Sequence, residues 1–166
     1  VARVLGLKYP GGPNVEKMAL NGKPSYKLPI PMNDESLNMS FSGLKSSIIN
    51  LVHNEQQRNR KINREDLACS FQTVATDQLV RKLELAIKQT NIKNIIIAGG
   101  VSANQYIRSE ITKLASKYNA NISVPKLLYC TDNAAMIGVA AYYEFKKGTR
   151  HGWDLNAVPN LKLGER

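Results

Sequence analysis

The chain has 166 residues, 23 of them Lys or Arg against 13 Asp or Glu, for a formal net charge of +10. A composition of 43% hydrophobic and 22% charged residues supports a buried core and excludes wholesale disorder. Two cysteines, Cys69 and Cys130, are too few for a disulfide-framed secreted module. No uncharged run approaches a membrane span and no signal-peptide pattern is visible, so a cytoplasmic protein without membrane attachment is expected. The charge excess fits a polyanionic partner such as RNA as well as it fits an incidentally basic protein.

In chain order, residues 1–5 read as the end of a helix, stopped at Gly6, and a start in mid-helix without Met leads us to expect part of a longer protein. Tyr9-Pro10-Gly11-Gly12-Pro13 reads as a tight loop, after which Asn14 caps a short helix over 15–20 closed by Asn21-Gly22. Residues 25–32, with Pro29 and Pro31, suggest an edge strand or extended segment, and the alternation in 37–41 predicts a strand. A helix over 44–54 follows, with Leu44, Ile48, Leu51 and Val52 inward, and then an exposed basic linker over 55–64.

Asn63 predicts the start of the longest helix, ending near Thr90, with Leu67, Phe71, Val74, Ala75, Leu79, Leu83, Ala86 and Ile87 on its inner face. The β-branched run in 93–100 predicts a strand buried on both faces. Ser102 then caps a helix to Tyr118 with Ile107, Ile111, Leu114 and Ala115 inward. Residues 122–129 read as a second strand, and Thr131-Asp132 as the start of a last helix stopped by Gly148. Residues 149–166 form an irregular tail. Helices alternating with strands imply parallel crossovers and an α/β layered fold.

Four places can carry chemistry. Gly99-Gly100, between a strand and a helix, lets a ligand lie against the backbone and offers free N–H groups, and Asn104 adds an amide donor and acceptor. The bland account is an ordinary strand–helix turn. Gly11-Gly12 permits a similar approach, with Glu16 as acceptor for a ribose diol, although a Pro-Gly turn and a helix dipole explain the same residues. Asp132 lies where open α/β sheets place catalytic or metal-binding carboxylates, and N-capping accounts for it equally simply. The run Arg58–Arg64 suits a phosphate backbone or is a solvated loop. His53 and His151 have no partner at metal-ligand spacing, and Cys69 and Cys130 read as structural thiols.

Four segments in this order, Leu5–Pro13, Ser40–Lys45, Ala98–Asn104 and Cys130–Met136, resemble the TsaD family of tRNA N6-adenosine threonylcarbamoyltransferases, formerly labelled O-sialoglycoprotein endopeptidases. The resemblance covers residues 1–147 and the C-terminal portion of a family member. It implies an actin, sugar-kinase and Hsp70-like ATPase lobe (ribonuclease H-like), with a mixed sheet flanked by helices, in residues 1–148. It also implies transfer of a threonylcarbamoyl group from threonylcarbamoyl-AMP to N6 of adenosine 37 in tRNAs reading codons that begin with A. By the same resemblance, Gly12, Gly99, Gly100 and Asn104 meet the adenylate, Glu16 the ribose, and Asp132 a divalent metal, iron or zinc. The implied partners are tRNA and the TsaB and TsaE proteins, with a TsaC-type enzyme supplying the intermediate.

The family's histidine pair and first-half substrate loop have no counterpart in these residues, so they are expected upstream of Val1. Competing readings are a sugar-kinase-like ATPase lobe, which lacks the Thr131-Asp132-Asn133 motif, a metalloprotease, and a non-catalytic RNA-binding module. The 166-residue chain alone is expected to be inactive, to hold no stoichiometric metal and to self-associate through an uncovered surface. Metal analysis and sedimentation of the purified chain check this: one ion per chain, or a monomer at every concentration, contradicts it.

Overall fold

The longest element, α3 (Arg64–Thr90, 27 residues), is the wall against which much of the chain packs. The computed structural model describes residues 1–162. They fall into two units, Val1–Cys130 and the segment from Thr131 onward.

In the first unit, residues 1–7 form hydrogen-bonded turns, with the Leu7 N–H donating to the Ala2 carbonyl at 2.9 Å. Helix α1 spans Gly11–Ala19 and begins four residues earlier than the sequence suggests. Gly11, Gly12 and Pro13 are therefore its first turn and not a loop. Proline is tolerated there because the first N–H groups of a helix have no intrahelical acceptor. Asn14 does not cap: its Nδ2 donates to the Lys8 carbonyl at 2.9 Å and pins the preceding segment. Val15 and Ala19, one turn apart, bury against α3. After α1 the chain runs so close to α3 that a Cβ on Gly22 would clash with the Glu65 carbonyl.

Helix α2 (Ser42–Gln57) extends beyond the predicted bounds at both ends and buries Leu44 and Ile48 completely. These residues join Leu5, Val15, Ala19, Leu28, Leu67 and Ala68 in the larger apolar cluster.

The segment between α1 and α2 holds no strand. Residues 25–32 form no ladder, with Tyr26 N–H donating to Ser70 Oγ at 3.0 Å and Met32 in a left-handed conformation (φ 50°), and the strand predicted at 37–41 is absent. There Ser36 N–H and Oγ donate to Asp34 Oδ1 (3.1 and 2.8 Å), and the Asn38 N–H donates to Ser36 Oγ at 3.3 Å. Such local turns compete with ladder formation, and no described strand runs alongside. Leu37, Met39 and Phe41 stay exposed.

What holds this segment is the buried Lys82, 4% exposed, whose ammonium donates to Asp34 Oδ1 (2.8 Å), to the Asp34 carbonyl (3.0 Å) and to the Ser36 carbonyl. One turn earlier, Gln78 Nε2 donates to the Pro31 carbonyl at 3.1 Å. The buried side of α3 thus includes Ser70, Thr76, Gln78 and Lys82, whereas Phe71, Val74, Ala75, Leu79, Leu83 and Ala86 are only half-buried. The predicted apolar stripe accounts for two of the fully buried residues, Leu67 and Ile87.

Beyond α3, β1 (Asn94–Ile96) and β2 (Asn121–Ser123) pair in parallel, with Ile95 opposite Ile122. Helix α4 (Gln105–Lys117) makes the crossover. Ile107, Ile111, Leu114 and Ala115 are buried as expected. A second cluster joins Ile87, Ile95, Leu114 and Ala115. Both strands are shorter than predicted, and 127–129 is a 310 turn instead of strand. The expectation of a strand buried on both faces fails, because Ile96 is 79% exposed. Helix packing covers one face of the pair, and no third strand is seen among the described residues. The sheet is therefore a small parallel one, and the mixed sheet of the expected lobe is not seen among the described residues.

The second unit contains α5 (Ala134–Lys146), capped by Asn133, whose Oδ1 accepts from the Met136 N–H at 3.0 Å. Thr131 and Asp132, expected to start the helix, precede the cap. Gly148 (φ 87°) ends it as predicted. The described part of the tail, 149–162, has no helix or strand, and the remainder of that prediction lies outside the described residues. No helix among the described residues is long and apolar enough to cross a membrane.

Two carboxylates report on pH. The Lys82 ammonium and the Ser36 donors hold the Asp34 carboxyl at about 2, below its ordinary 3.8. Lys117 and the Tyr118 hydroxyl hold Glu84 at about 2, below 4.5. Both pKa values are depressed on folding, so the stabilisation is complete above the unfolded values and is lost as pH falls from about 4.5 towards 2. The urea midpoint should fall over that window, and less steeply in Asp34→Asn. Identical pH profiles for the two proteins would exclude the Lys82 clamp as a source.

Candidate adenylate-binding site

Helix α1 and the start of α4, remote in sequence, are joined by a hydrogen bond from Gln105 N–H to Glu16. At the end of β1 the chain turns through Gly99 (φ 86°), a conformation that disfavours any residue with a Cβ. A 310 turn, Gly100–Ala103, follows. Ser102 stitches it closed: both its N–H and its Oγ donate to the Gly99 carbonyl, at 3.0 and 2.6 Å. The N–H groups of Gly100 and Val101, ahead of this closure, have no acceptor among the described residues and remain open to an anionic oxygen.

Ser102 therefore does not cap α4; Asn104 does. Its Oδ1 accepts from the Ile107 N–H at 2.9 Å, and its Nδ2 donates to Gln72 Oε1 of α3 at 3.0 Å. Asn104 lies outside the first turn where the sequence suggests it, and both ends of its amide are engaged within the chain. One amide proton and one oxygen lone pair are left for a ligand.

Glu16 supplies the link. From α1 its Oε1 accepts the Gln105 N–H at 2.6 Å, across 89 positions of sequence. This satisfies an orphan donor of α4 and sets a negative charge on the positive end of that helix. Its second carboxylate oxygen has no partner among the described residues and is free to accept. Gly12, one turn before Glu16, is exposed, and a Cβ built on it meets nothing within 4 Å. Gly11, by contrast, is required by packing: a Cβ there would lie 2.9 Å from that of Ala2.

Sequence reasoning did not find Arg108. Its Nε donates to the Ser102 carbonyl, and its Nη2 to the Pro125 carbonyl (2.8 Å) and to Cys130 Sγ (3.0 Å). It ties the 310 turn to the chain beyond β2. Its place one turn into α4 was visible in the sequence, but its acceptors come from two other segments that only the fold assembles. Cys130 is buried as a structural thiol, in line with expectation.

Of the predicted site residues, Gly12, Glu16, Gly99, Gly100 and Asn104 all belong to the first unit, where Glu16 meets the residue following Asn104. Asp132 belongs to the second unit and is exposed. Among the described residues no three His, Cys, Asp or Glu side chains gather closely enough to hold a metal ion. Asp132 by itself leaves most coordination positions to water, so the residues present do not amount to a metal site.

The two exposed glycines should behave oppositely. Gly99→Ala is expected to cost about 1–3 kcal/mol from backbone strain, despite the open space around it. Gly12→Ala, in a helical turn, should be neutral or stabilising by up to about 1 kcal/mol. Denaturant midpoints check both, and equal destabilisation would contradict the geometry.

The chain matches a family model described as "TsaD: tRNA N6-adenosine threonylcarbamoyltransferase" over residues 1–139. It is 54% identical over 144 residues to the tRNA N6-adenosine threonylcarbamoyltransferase of Mycoplasma capricolum, covering 86% of this chain and 45% of that protein. Proteins of the same name from Clostridium botulinum (strain 657) and Halalkalibacterium halodurans are 44% and 43% identical, over 100% and 98% of this chain and 49% and 48% of their own lengths. The chain thus spans about half the length of the curated relatives it matches, and it belongs to the TsaD family.

Proposed function

We propose that these residues supply the adenylate-binding part of an enzyme that transfers a threonylcarbamoyl group from threonylcarbamoyl-AMP to N6 of adenosine 37 in tRNAs reading codons that begin with A. The observation that carries this is the bond from Gln105 N–H to Glu16, which ties α1, with Gly12 one turn before Glu16, to the start of α4 just after the Gly99–Ala103 turn. On this reading the Gly100 and Val101 N–H groups donate to the phosphate, the free Glu16 oxygen accepts from a ribose hydroxyl, and the open backbone at Gly12 admits the adenosine.

In the reaction, the adenosine amine attacks the carbamoyl carbon and the bond from that carbon to the phosphate oxygen breaks. AMP departs with the bonding electrons, and the attacking nitrogen gives up a proton to solvent or to a base outside these residues. Preorganised N–H donors stabilise the charge that develops on the departing phosphate. Asp132 would contribute one carboxylate to a divalent metal, iron or zinc, only alongside ligands that the described residues do not supply. The family resemblance adds a cytoplasmic setting, an actin-like ATPase lobe, TsaB and TsaE partners and a TsaC-type supplier of the intermediate.

Calorimetric binding of AMP to the protein that carries this chain tests the assignment. Glu16→Ala should weaken AMP about tenfold or more, as expected for a lost hydrogen bond to a charged group. Removing both ribose hydroxyls should weaken binding to the unsubstituted protein much more than to Glu16→Ala. Equal losses in the two proteins would sink the role of Glu16, and absence of threonylcarbamoyl transfer to tRNA would sink the whole reading.

A further inference from the structure

Between the end of α2 and the start of α3 lies a cleft of about 420 Å3, within the size range of sites that hold small ligands. Its accessible apolar floor is made by Val4, Val52 and Ile62, and Arg60, Lys61 and Arg64 line it from the connecting loop and the first residue of α3. The loop is fastened at both ends. Asn59 adopts a left-handed conformation (φ 53°), and the Arg60 N–H returns to the Glu55 carbonyl at 2.9 Å. Further on, the Asn63 N–H donates to the Tyr26 hydroxyl at 3.1 Å, while the Asn63 side chain caps α3.

The charge of the cleft is uncompensated. Among the described residues, Arg60, Lys61 and Arg64 form no ion pair, whereas Arg58 pairs with Glu55 at 3.6 Å. The Asp66 carboxylate is engaged by the Lys23 N–H and the Ser25 hydroxyl, which leaves exposed Glu65 as the nearest unengaged acid in sequence. The N-terminus of α3 adds further positive potential.

Three exposed cations around an apolar floor complement a ligand with closely spaced anions and a flat apolar face. Single-stranded RNA has both, with phosphates for the cations and an unstacked base for the floor. We infer that this cleft grips a single-stranded segment of RNA, its phosphates on Arg60, Lys61 and Arg64 and one base over the half-buried Val4, Val52 and Ile62. The inference rests on the reading above that the protein acts on tRNA. An acidic peptide or a segment of protein is the alternative occupant.

The test measures binding of an unmodified tRNA transcript to the protein that carries this chain, by fluorescence anisotropy over a series of salt concentrations. The variant is Arg60→Gln/Lys61→Gln. The control is Lys88→Gln/Lys93→Gln, the same charge change at the far end of α3. The cleft variant should bind RNA roughly tenfold more weakly near physiological salt, with a log–log salt slope shallower by about 0.7 per residue. Its AMP affinity and melting temperature should be unchanged. An equal loss of RNA affinity in the two double variants overturns the inference by reducing the effect to net charge, and RNA binding unaffected by the cleft variant overturns it outright. Failure of the unsubstituted protein to bind AMP counts against the adenylate reading alone, because the RNA measurement stands apart from it.

Discussion

Helix α3 must bury opposite ends against different neighbours, and the first unit is arranged around that constraint. Its first turns, through Leu67 and Ala68, complete the cluster shared by α1, α2 and the N-terminal turns. Its last turns, through Ile87, complete the cluster under the parallel strand pair. Between the two, the helix grips residues 31–36 with Gln78 and Lys82 instead of with apolar side chains. A lysine can be buried there because each ammonium proton finds an oxygen; removing those acceptors would leave an uncompensated charge in the interior.

The candidate site depends on the same helix. Gln72 of α3 holds the Asn104 side chain, and Asn104 sets the start of α4. Glu16 then reaches α4 from α1, which itself rests on α3. Two helices, α1 and α3, thereby fix the N-terminal end of α4 with hydrogen bonds, and the Gly99–Ala103 turn lies immediately before it. A binding surface made of backbone N–H groups needs such support, because its donors are useful only if held in place before the ligand arrives.

Local chemistry was legible wherever the determinants lie within one helical turn. Asn63 as the cap of α3, the inward positions Ile107, Ile111, Leu114 and Ala115, and Gly148 as the stop of α5 all follow from spacing and capping. Errors occurred where two local choices compete and a distant partner decides. Residues 37–41 alternate like a strand, but with no neighbouring strand the Asp34 and Ser36 side chains win with short-range turns. Asn14, Ser102, Thr131 and Asp132 are all suitable capping residues, and the caps fell instead to Pro10, Asn104 and Asn133. The buried polar side of α3 was invisible for a related reason: Lys82 reads as a surface residue until the acceptors at Asp34 and Ser36 are placed around it.

Sequence by itself determined the family, the order of helices and strands in the second half and the parallel crossover. Those depend on motifs and periodicities written within short stretches of chain. Only the tertiary structure decided that Glu16 meets the start of α4, that Arg108 braces the glycine turn and that the basic loop borders an apolar cleft. Each of these joins segments far apart in sequence, and such pairings are set by the packing of whole helices on α3, which no local pattern records.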